Sequence, residues 1–281
     1  MNTITAPLKW PGGKRYLAKR IIELMPPHLH YVEPFFGGGA VLLTRDPDDE
    51  RLWLAPHKGV SEVANDFNQR LWNFWKTLQN PVEFEAFRRI VEMIPFSKQE
   101  WKESHDITGA PYGSWLGIRA AVAFFVDCRQ SRSGMMDGFT SITRKRTRRQ
   151  MNGNVSEWLG SVDGLADVHA RLRRVLIENM DAIKLIERED TVGTFFYIDP
   201  PYVHSTRASR SLYDHEMTDL DHRRLLAVLR KLKGKAIMSG YDNPLYSNAL
   251  HDWRRVDIEI ANHLAGGAVK GRETEVLWLN Y

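Results

Sequence analysis

Cysteine is nearly missing from this chain: Cys128 is the only one in 281 residues. A lone thiol excludes an intramolecular disulfide and any metal site built on several cysteines. The ten histidines contain no H-E-x-x-H and no paired ligand spacing, so no metal site is expected. Long apolar runs are absent too. The longest, 118–126, is interrupted by Arg119 and falls far short of the ~20 residues a membrane helix needs. Met1-Asn2-Thr3-Ile4 shows no charged-then-apolar leader pattern, and a cytoplasmic setting is expected. Three catalytic signatures are also missing. The turn Pro11-Gly12-Gly13-Lys14 is followed by Arg15 and has no upstream glycine, which excludes a nucleoside-triphosphate P-loop. No G-x-G-x-x-G follows a strand, so a dinucleotide pyrophosphate is not indicated. Ser239-Gly240-Tyr241 is not framed as G-x-S-x-G, so it is no nucleophile elbow.

What remains is an ordinary folded composition, 43% hydrophobic and 26% charged, long enough for a large domain with an insertion. The net charge of +4 is unevenly spread. Arg144-Lys145-Arg146-Thr147-Arg148-Arg149 places five cations in six residues, with Arg129 and Arg132 before them and Arg171, Arg173 and Arg174 after. Clustered cations suit a polyanion, because phosphate contacts release counterions and dominate nucleic-acid affinity. Charge runs are more often plain solvated loops. Here the setting favours function: small and polar residues surround the run, and Met135, Met136 and Phe139 are candidate wedges among the cations.

The pattern along the chain predicts strands at 31–35, 60–64, 173–178, 194–198, 235–239, 254–260 and 274–279. Residues 45–59 read as an irregular charged connection. Helices are expected at 71–78 on the stripe Leu71, Trp72, Phe74, Trp75 and Leu78, then at 84–94, 112–126, 182–189 and 219–232. Thr218 with Asp221 three residues on predicts an N-terminal capping box for the last. Strands alternating with helices predict an α/β fold with a largely parallel sheet. The block 69–171 lacks that alternation and reads as a mostly helical insertion.

The motif with most chemistry is Asp199-Pro200-Pro201-Tyr202, directly after the buried strand pattern of 194–198. It joins a carboxylate, a rigid turn with free backbone carbonyls and an aromatic ring at the carboxyl end of a strand, where open α/β sheets bind ligands. Two acceptors and a stacking face suit an exocyclic amino group on a flat ring. Glu33-Pro34-Phe35-Phe36-Gly37-Gly38-Gly39 is a strand-to-helix turn that lets a ligand approach the backbone. Asp66 ends the next strand, where an acid binds ribose hydroxyls in Rossmann-like folds, although a turn or cap role is the blander reading. Lys9-Trp10-Pro11-Gly12-Gly13-Lys14 reads equally as a wrap for a small zwitterionic cofactor and as a simple turn before a helix.

Taken in order, these four motifs resemble the Dam-like, D12-class DNA adenine-N6 methyltransferases of bacteria and phages. The likeness runs over the whole chain, includes the stretch from Tyr213 to His222 and Ser239-Gly240-Tyr241, and is weakest over Ser131 to Arg149. It implies a Rossmann-like class I methyltransferase sheet flanked by helices (1–68 and 172–281) with an inserted target-recognition domain (69–171). It implies S-adenosylmethionine as cofactor, held by Trp10, Lys14, Glu33, Phe35, Gly37, Gly39, Asp66 and Asp181, the last also a helix N-cap from its sequence alone. The implied catalytic set is Asp199, Pro200 and Tyr202, acting on an adenine flipped out of double-stranded DNA. Arg129, Arg132, Arg144, Lys145, Arg146, Arg148 and Arg149 are the expected DNA contacts. A monomer is expected, with a weak dimer on DNA as the alternative. Cytosine N4, RNA or a glutamine side chain as acceptor remain open, as does a catalytically silent DNA-binding relative.

Overall fold

The computed structural model describes residues 4–109, 116–140, 142, 144–202, 217–261 and 272–281. The expected helix start at Tyr112, and Tyr213 of the resemblance, lie outside the described residues. In chain order, α1 (Ala18–Leu24), β1 (His30–Glu33), α2 (Ala40–Thr44) and β2 (Ser61–Asn65) come first. Helices α3 (Gln69–Gln79), α4 (Pro81–Met93), α5 (Lys98–Thr108) and α6 (Ile118–Gln130) follow. The hairpin strands β3 (Thr147–Arg148) and β4 (Met151–Asn152) lead into α7 (Gly153–Asp163), α8 (Leu165–Leu172) and β5 (Leu176–Glu178). The last part holds α9 (Ala182–Glu189), β6 (Thr194–Ile198), α10 (Asp219–Leu229), β7 (Lys235–Tyr241), α11 (Pro244–Ala249), β8 (Arg254–Ala261) and β9 (Arg272–Leu279).

The chain forms two compact units. The first comprises Met1–Leu24, Gly37–Pro47 and Asn68–Asn179, the second Met25–Phe36, Asp48–Phe67 and Met180–Tyr281. This division differs from the expected one, which kept all of 1–68 with the sheet. The physical reason lies in the N-terminal segment. Trp10 packs on Phe124 at 6.1 Å, and the Cys128 thiol donates to the Lys9 carbonyl at 3.2 Å, so this segment joins the helices.

The main sheet of the second unit has its strands in the order β2-β1-β6-β7-β9-β8. β2, β1, β6 and β7 run parallel, whereas β9 is antiparallel to both β7 and β8. β6 is buried at all its positions, as a central parallel strand covered on both faces must be, which explains its continuous apolar sequence. Leu185 and Ile186 of α9, Leu225, Leu226 and Leu229 of α10, and Tyr246 of α11 close over Val32, Val63, Phe196, Ile198 and Trp278. Strand order leaves β1 toward β2 on one side and β6 toward β7 on the other. The carboxyl ends of β1 and β6 therefore flank a topological switch point, the usual ligand crevice of such sheets.

The first unit is helical apart from the β3–β4 hairpin and β5. Its core is aromatic: Phe74 stacks on Phe125 at 5.8 Å, Phe125 meets Trp158 at 5.4 Å, and the Trp158 indole donates to the Ile94 carbonyl at 3.0 Å. Helices α5, α7 and α8 lie outside the expected set. α5 starts at a Ser97 N-cap, but its sequence KQEWKESHDIT carries almost no apolar stripe to announce it. The strand expected at 173–178 begins only at Leu176, because Arg173 and Arg174 complete a helical turn by donating to His169 and Arg171 carbonyls. Among the described residues no helix is long and apolar enough to cross a membrane.

Candidate active site

Asp199 leaves the buried end of β6 partly exposed. Its Oδ1 accepts the Ser239 hydroxyl at 2.9 Å, and Ser239 Oγ lies 3.0 Å from the Tyr197 hydroxyl. The parallel register that opposes Ile198 to Met238 brings Ser239 level with Asp199. Pro200 is buried behind it. Tyr202 is fixed at both ends of its side chain. The hydroxyl donates to Glu275 Oε1 at 2.7 Å, and the ring lies 4.7 Å from Tyr241 at 59°. Glu275 sits opposite Tyr241 across the β7–β9 ladder and is only 1% exposed. A carboxylate so deep is costly unless hydrogen-bonded, and the phenol is such a partner.

The ends of β1 and β2 lie beside β6 in the same unit. Glu33 is 2% exposed and accepts the Tyr31 hydroxyl at 2.6 Å. Phe35 packs against the hydrophobic core of this unit. Asn65 ties the neighbourhood together. Its amide nitrogen donates to Pro34 O at 2.9 Å and Met180 O at 3.0 Å, its amide oxygen accepts Met180 N at 2.9 Å, and its carbonyl accepts Phe36 N at 2.8 Å. The turn after β1 and the residue before Asp181 are thus fastened to one side chain. Asp66 follows directly and is partly exposed. Asp181 caps α9, accepting Lys184 N at 3.0 Å, which agrees with its reading as an N-cap. Glu33, Phe35, Asp66, Asp181, Asp199, Pro200 and Tyr202 accordingly share one unit, most of them at the carboxyl edge of its parallel strands.

Trp10, Lys14, Gly37 and Gly39 belong to the other unit. The Trp10 side chain lies against the glycine turn. A Cβ on Gly38 would come 2.7 Å from Trp10 Cβ, so only glycine permits that contact, and Gly37 and Gly39 both take positive φ. The Trp75 indole donates to the Gly37 carbonyl at 3.0 Å, so a residue of the helical stripe also fixes this turn. Lys14 is buried and donates to the Gly12 carbonyl at 3.2 Å.

The cations do not form one class. Arg144, Lys145, Arg146, Arg148 and Arg149 are exposed on or beside the hairpin, and Arg132 is exposed and paired with Asp137 at 3.1 Å. Arg146 and Arg148 approach Glu157 at 3.6 and 3.7 Å. Arg149 is held by α7, donating to Ser156 Oγ at 3.1 Å and Ser156 O at 3.0 Å. Arg129 departs from its expected surface role. It is 8% exposed, burial lowers its guanidinium pKa, and it donates to the Glu157 carbonyl at 2.8 Å. The apolar helix α6 carries it inward, and the register of residues 120–128 held that signal. Of the candidate wedges, Phe139 packs on Phe96 at 5.3 Å and is partly covered. Cys128 is buried and its thiol pKa is pushed up to about 12 by that burial, the packed thiol its place after an apolar helix suggested. Among the described residues no cluster of three or more histidine, cysteine, aspartate or glutamate side chains could hold a metal ion.

Glu275 had no expected role, and Asn65, beside Asp66, and Ser239 had none beyond their place in a motif. Glu275 carried a signal: in β9 it alternates in phase with Leu277 and Leu279, an acid on an apolar face.

The family description "D12 class N6 adenine-specific DNA methyltransferase" matches residues 10–107 and 139–263. Over 303 residues the chain is 26% identical to "Type II methyltransferase M1.LlaDCHI" of Lactococcus lactis subsp. cremoris, covering 97% of this chain and 94% of that one. It is 23% identical over 302 residues to "Type II methyltransferase M.MjaIII" of Methanocaldococcus jannaschii, covering 98% of each. A shorter match, 37% over 71 residues, covers 25% of this chain and 8% of the "DNA N-6-adenine-methyltransferase" of Escherichia phage P1. With most of its length matched and the Asp-Pro-Pro-Tyr turn at the carboxyl end of a central parallel strand, the chain belongs to the D12 class of N6 adenine-specific DNA methyltransferases.

Proposed function

We propose that the protein transfers a methyl group from S-adenosylmethionine to N6 of an adenine flipped out of duplex DNA at a specific site. The observation that carries this reading is the placement of Asp199-Pro200-Pro201-Tyr202 at the switch point beside Glu33 and Asp66. The donor set fits the cofactor. Carboxylates at Glu33, Asp66 and Asp181 match its ammonium, ribose hydroxyls and adenine amine, and the Gly37–Gly39 turn suits its methionine part. Trp10 and Lys14 complete the assigned cofactor residues. S-adenosylmethionine supplies a methyl group already activated on a sulfonium.

The residues of the chain have to present N6. Its lone pair is delocalised into the ring, which makes it a poor nucleophile. The Asp199 carboxylate accepts one N6–H and the Pro200 carbonyl the other, which makes the nitrogen more pyramidal and aims its lone pair. Most of the catalysis is alignment. Asp199 does not deprotonate the neutral amine, which is far too weak an acid; the proton leaves once the nitrogen is cationic. Tyr202, anchored on Glu275, is a rigid face for the adenine ring. Extruding the base costs a few kcal/mol. Arg132, Arg144, Lys145, Arg146, Arg148 and Arg149 offset that cost through phosphates, while Arg129 stays inside. The protein acts as a monomer in the cytoplasm, and its type II relatives favour a restriction-modification role.

Methylation-sensitive sequencing of DNA from cells expressing the protein tests the reading. N6-methyladenine at one recurring sequence is expected, absent with Asp199→Ala. Label taken up only by cytosine, RNA or protein would overturn it.

A further inference from the structure

We infer that Ser239 is a positioning residue for methyl transfer, orienting the Asp199 carboxylate with support from Tyr197. The inference rests on the acceptor role proposed for Asp199.

Ser239 is fully buried on β7. Three oxygens surround its hydroxyl: Asp199 Oδ1 at 2.9 Å, the Tyr197 hydroxyl at 3.0 Å and the Ile198 carbonyl at 3.5 Å. A serine has one proton to donate. An ionised carboxylate is a stronger acceptor than a neutral carbonyl, and here it is also closer. The proton therefore goes to Asp199, and the Tyr197 hydroxyl donates to Ser239 Oγ in turn. The chain runs Tyr197 to Ser239 to Asp199, entirely within the second unit.

This order has a consequence for the chemistry. A carboxylate turns about its Cβ–Cγ bond with a broad preference. Holding Oδ1 from β7 sets the carboxylate plane before any amine arrives. Asp199 stands just beyond β6, and the bond from Ser239 ties its carboxylate to the neighbouring strand β7. Preorganised acceptors of this kind need no rearrangement at the moment of reaction. Tyr197 is almost fully buried as well, and its hydroxyl supports Ser239 by the 3.0 Å bond to Oγ.

The test uses the full chain and a duplex bearing the target sequence, with 2-aminopurine at the target position in one version. Wild type, Ser239→Ala and Tyr197→Phe are compared for cofactor affinity, duplex affinity, 2-aminopurine fluorescence and single-turnover methyl transfer. Ser239→Ala is expected to slow transfer roughly ten- to a hundredfold, the worth of a hydrogen bond to a charged group. Tyr197→Phe is expected to slow it by roughly threefold. Both affinities and the fluorescence should stay near wild type, while the thermal midpoint falls by a few degrees because buried hydrogen bonds are lost. Wild-type transfer rates in either folded variant overturn the inference. A loss confined to affinity or midpoint also overturns it, since that marks a merely structural hydroxyl. If Ser239→Ala does not fold, Tyr197→Phe decides alone, because it removes one oxygen and keeps the ring. A wild-type protein that never methylates adenine is a different failure, that of the proposed function.

Discussion

At the carboxyl edge of the sheet, polar groups are held at short range: buried Glu275 by Tyr202 at 2.7 Å, buried Glu33 by Tyr31 at 2.6 Å, and partly exposed Asp199 by Ser239 at 2.9 Å. On the β3–β4 hairpin the cations are exposed, and their ion pairs run from 3.6 to 3.9 Å. Exposed pairs of that kind are worth about 0–1 kcal/mol, so they yield readily to a phosphate. Buried charges that lose a partner cost several times more. The two regions therefore suit different tasks. Chemistry on one nitrogen needs groups that do not move, whereas binding a polyanion needs charges that can change partners. Substitutions at the sheet edge should be costly and specific, and those at the hairpin mild and graded.

The largest effect is expected at Asp199. Asp199→Ala should lower methyl transfer by roughly a thousandfold, comparable with losing a preorganised catalytic group. Binding of duplex and cofactor should persist, measured by fluorescence anisotropy and calorimetry. A near-normal rate would remove the carboxylate from the mechanism. Asn65→Ala comes next, read as stability. It strips partners from Pro34 O, Met180 O and Met180 N together, which should cost about 3 kcal/mol in urea unfolding. A loss under 1 kcal/mol, by the same scale, would mean that the strand ends are held by something other than this side chain.

Much of this contrast was legible in the sequence. Central parallel strands are apolar runs cut by glycine or proline, so 194–198 and its Asp-Pro-Pro-Tyr turn stood out, and the observed β6 has those same bounds. The partners did not stand out. Ser239, Glu275 and Met180 lie 40, 73 and 115 residues from the groups they touch; sheet register brings the first two there, and the loop before α9 brings Met180. The cations were legible as charge and not as exposure. Arg129 and Arg149 look alike in the sequence, yet an apolar helix buries the first and a strained turn presents the second. Trp10 and the glycine turn are local motifs whose packing partners, Phe124 and Trp75, are helical residues far along the chain.

Tyr202→Phe sharpens the comparison at the sheet edge. It keeps the ring and removes the donor to Glu275, which should cost about 1–2 kcal/mol of stability. Methyl transfer should slow because the ring can then shift. Glu275→Gln in the same background should recover part of the stability, since a neutral amide is cheaper to leave buried. No recovery would show that Tyr202 is not what makes the buried carboxylate tolerable. At the hairpin, replacing Arg144, Lys145 and Arg146 by alanine should weaken duplex binding by roughly tenfold at moderate salt and flatten its salt dependence by up to about three in log–log slope. The maximal transfer rate should change little. A slope equal to wild type would make the run a solvated loop.

The smallest effect is expected at the turn of the hairpin. Arg149 and Gln150 are its two central residues, with φ of 47° and 60°. Two positive φ values in a two-residue hairpin demand the turn that favours Asn-Gly, and neither residue here is of that kind. Each non-glycine residue in this region costs of order 1 kcal/mol. The bonds from the Arg149 guanidinium to Ser156 offset part of that at the first position, while Gln150 has no such bond among the described residues. Gln150→Gly should therefore stabilise the hairpin by up to about 1 kcal/mol, seen as slower amide exchange across 147–152. If the strained turn serves only as a rigid arm, DNA affinity should rise slightly with it. If the hairpin instead works by adjusting to the duplex, the more stable variant should bind no better and dissociate no more slowly. That outcome would confirm the contrast with the sheet edge, where any loosening of Asp199 or Tyr202 is expected to slow the reaction.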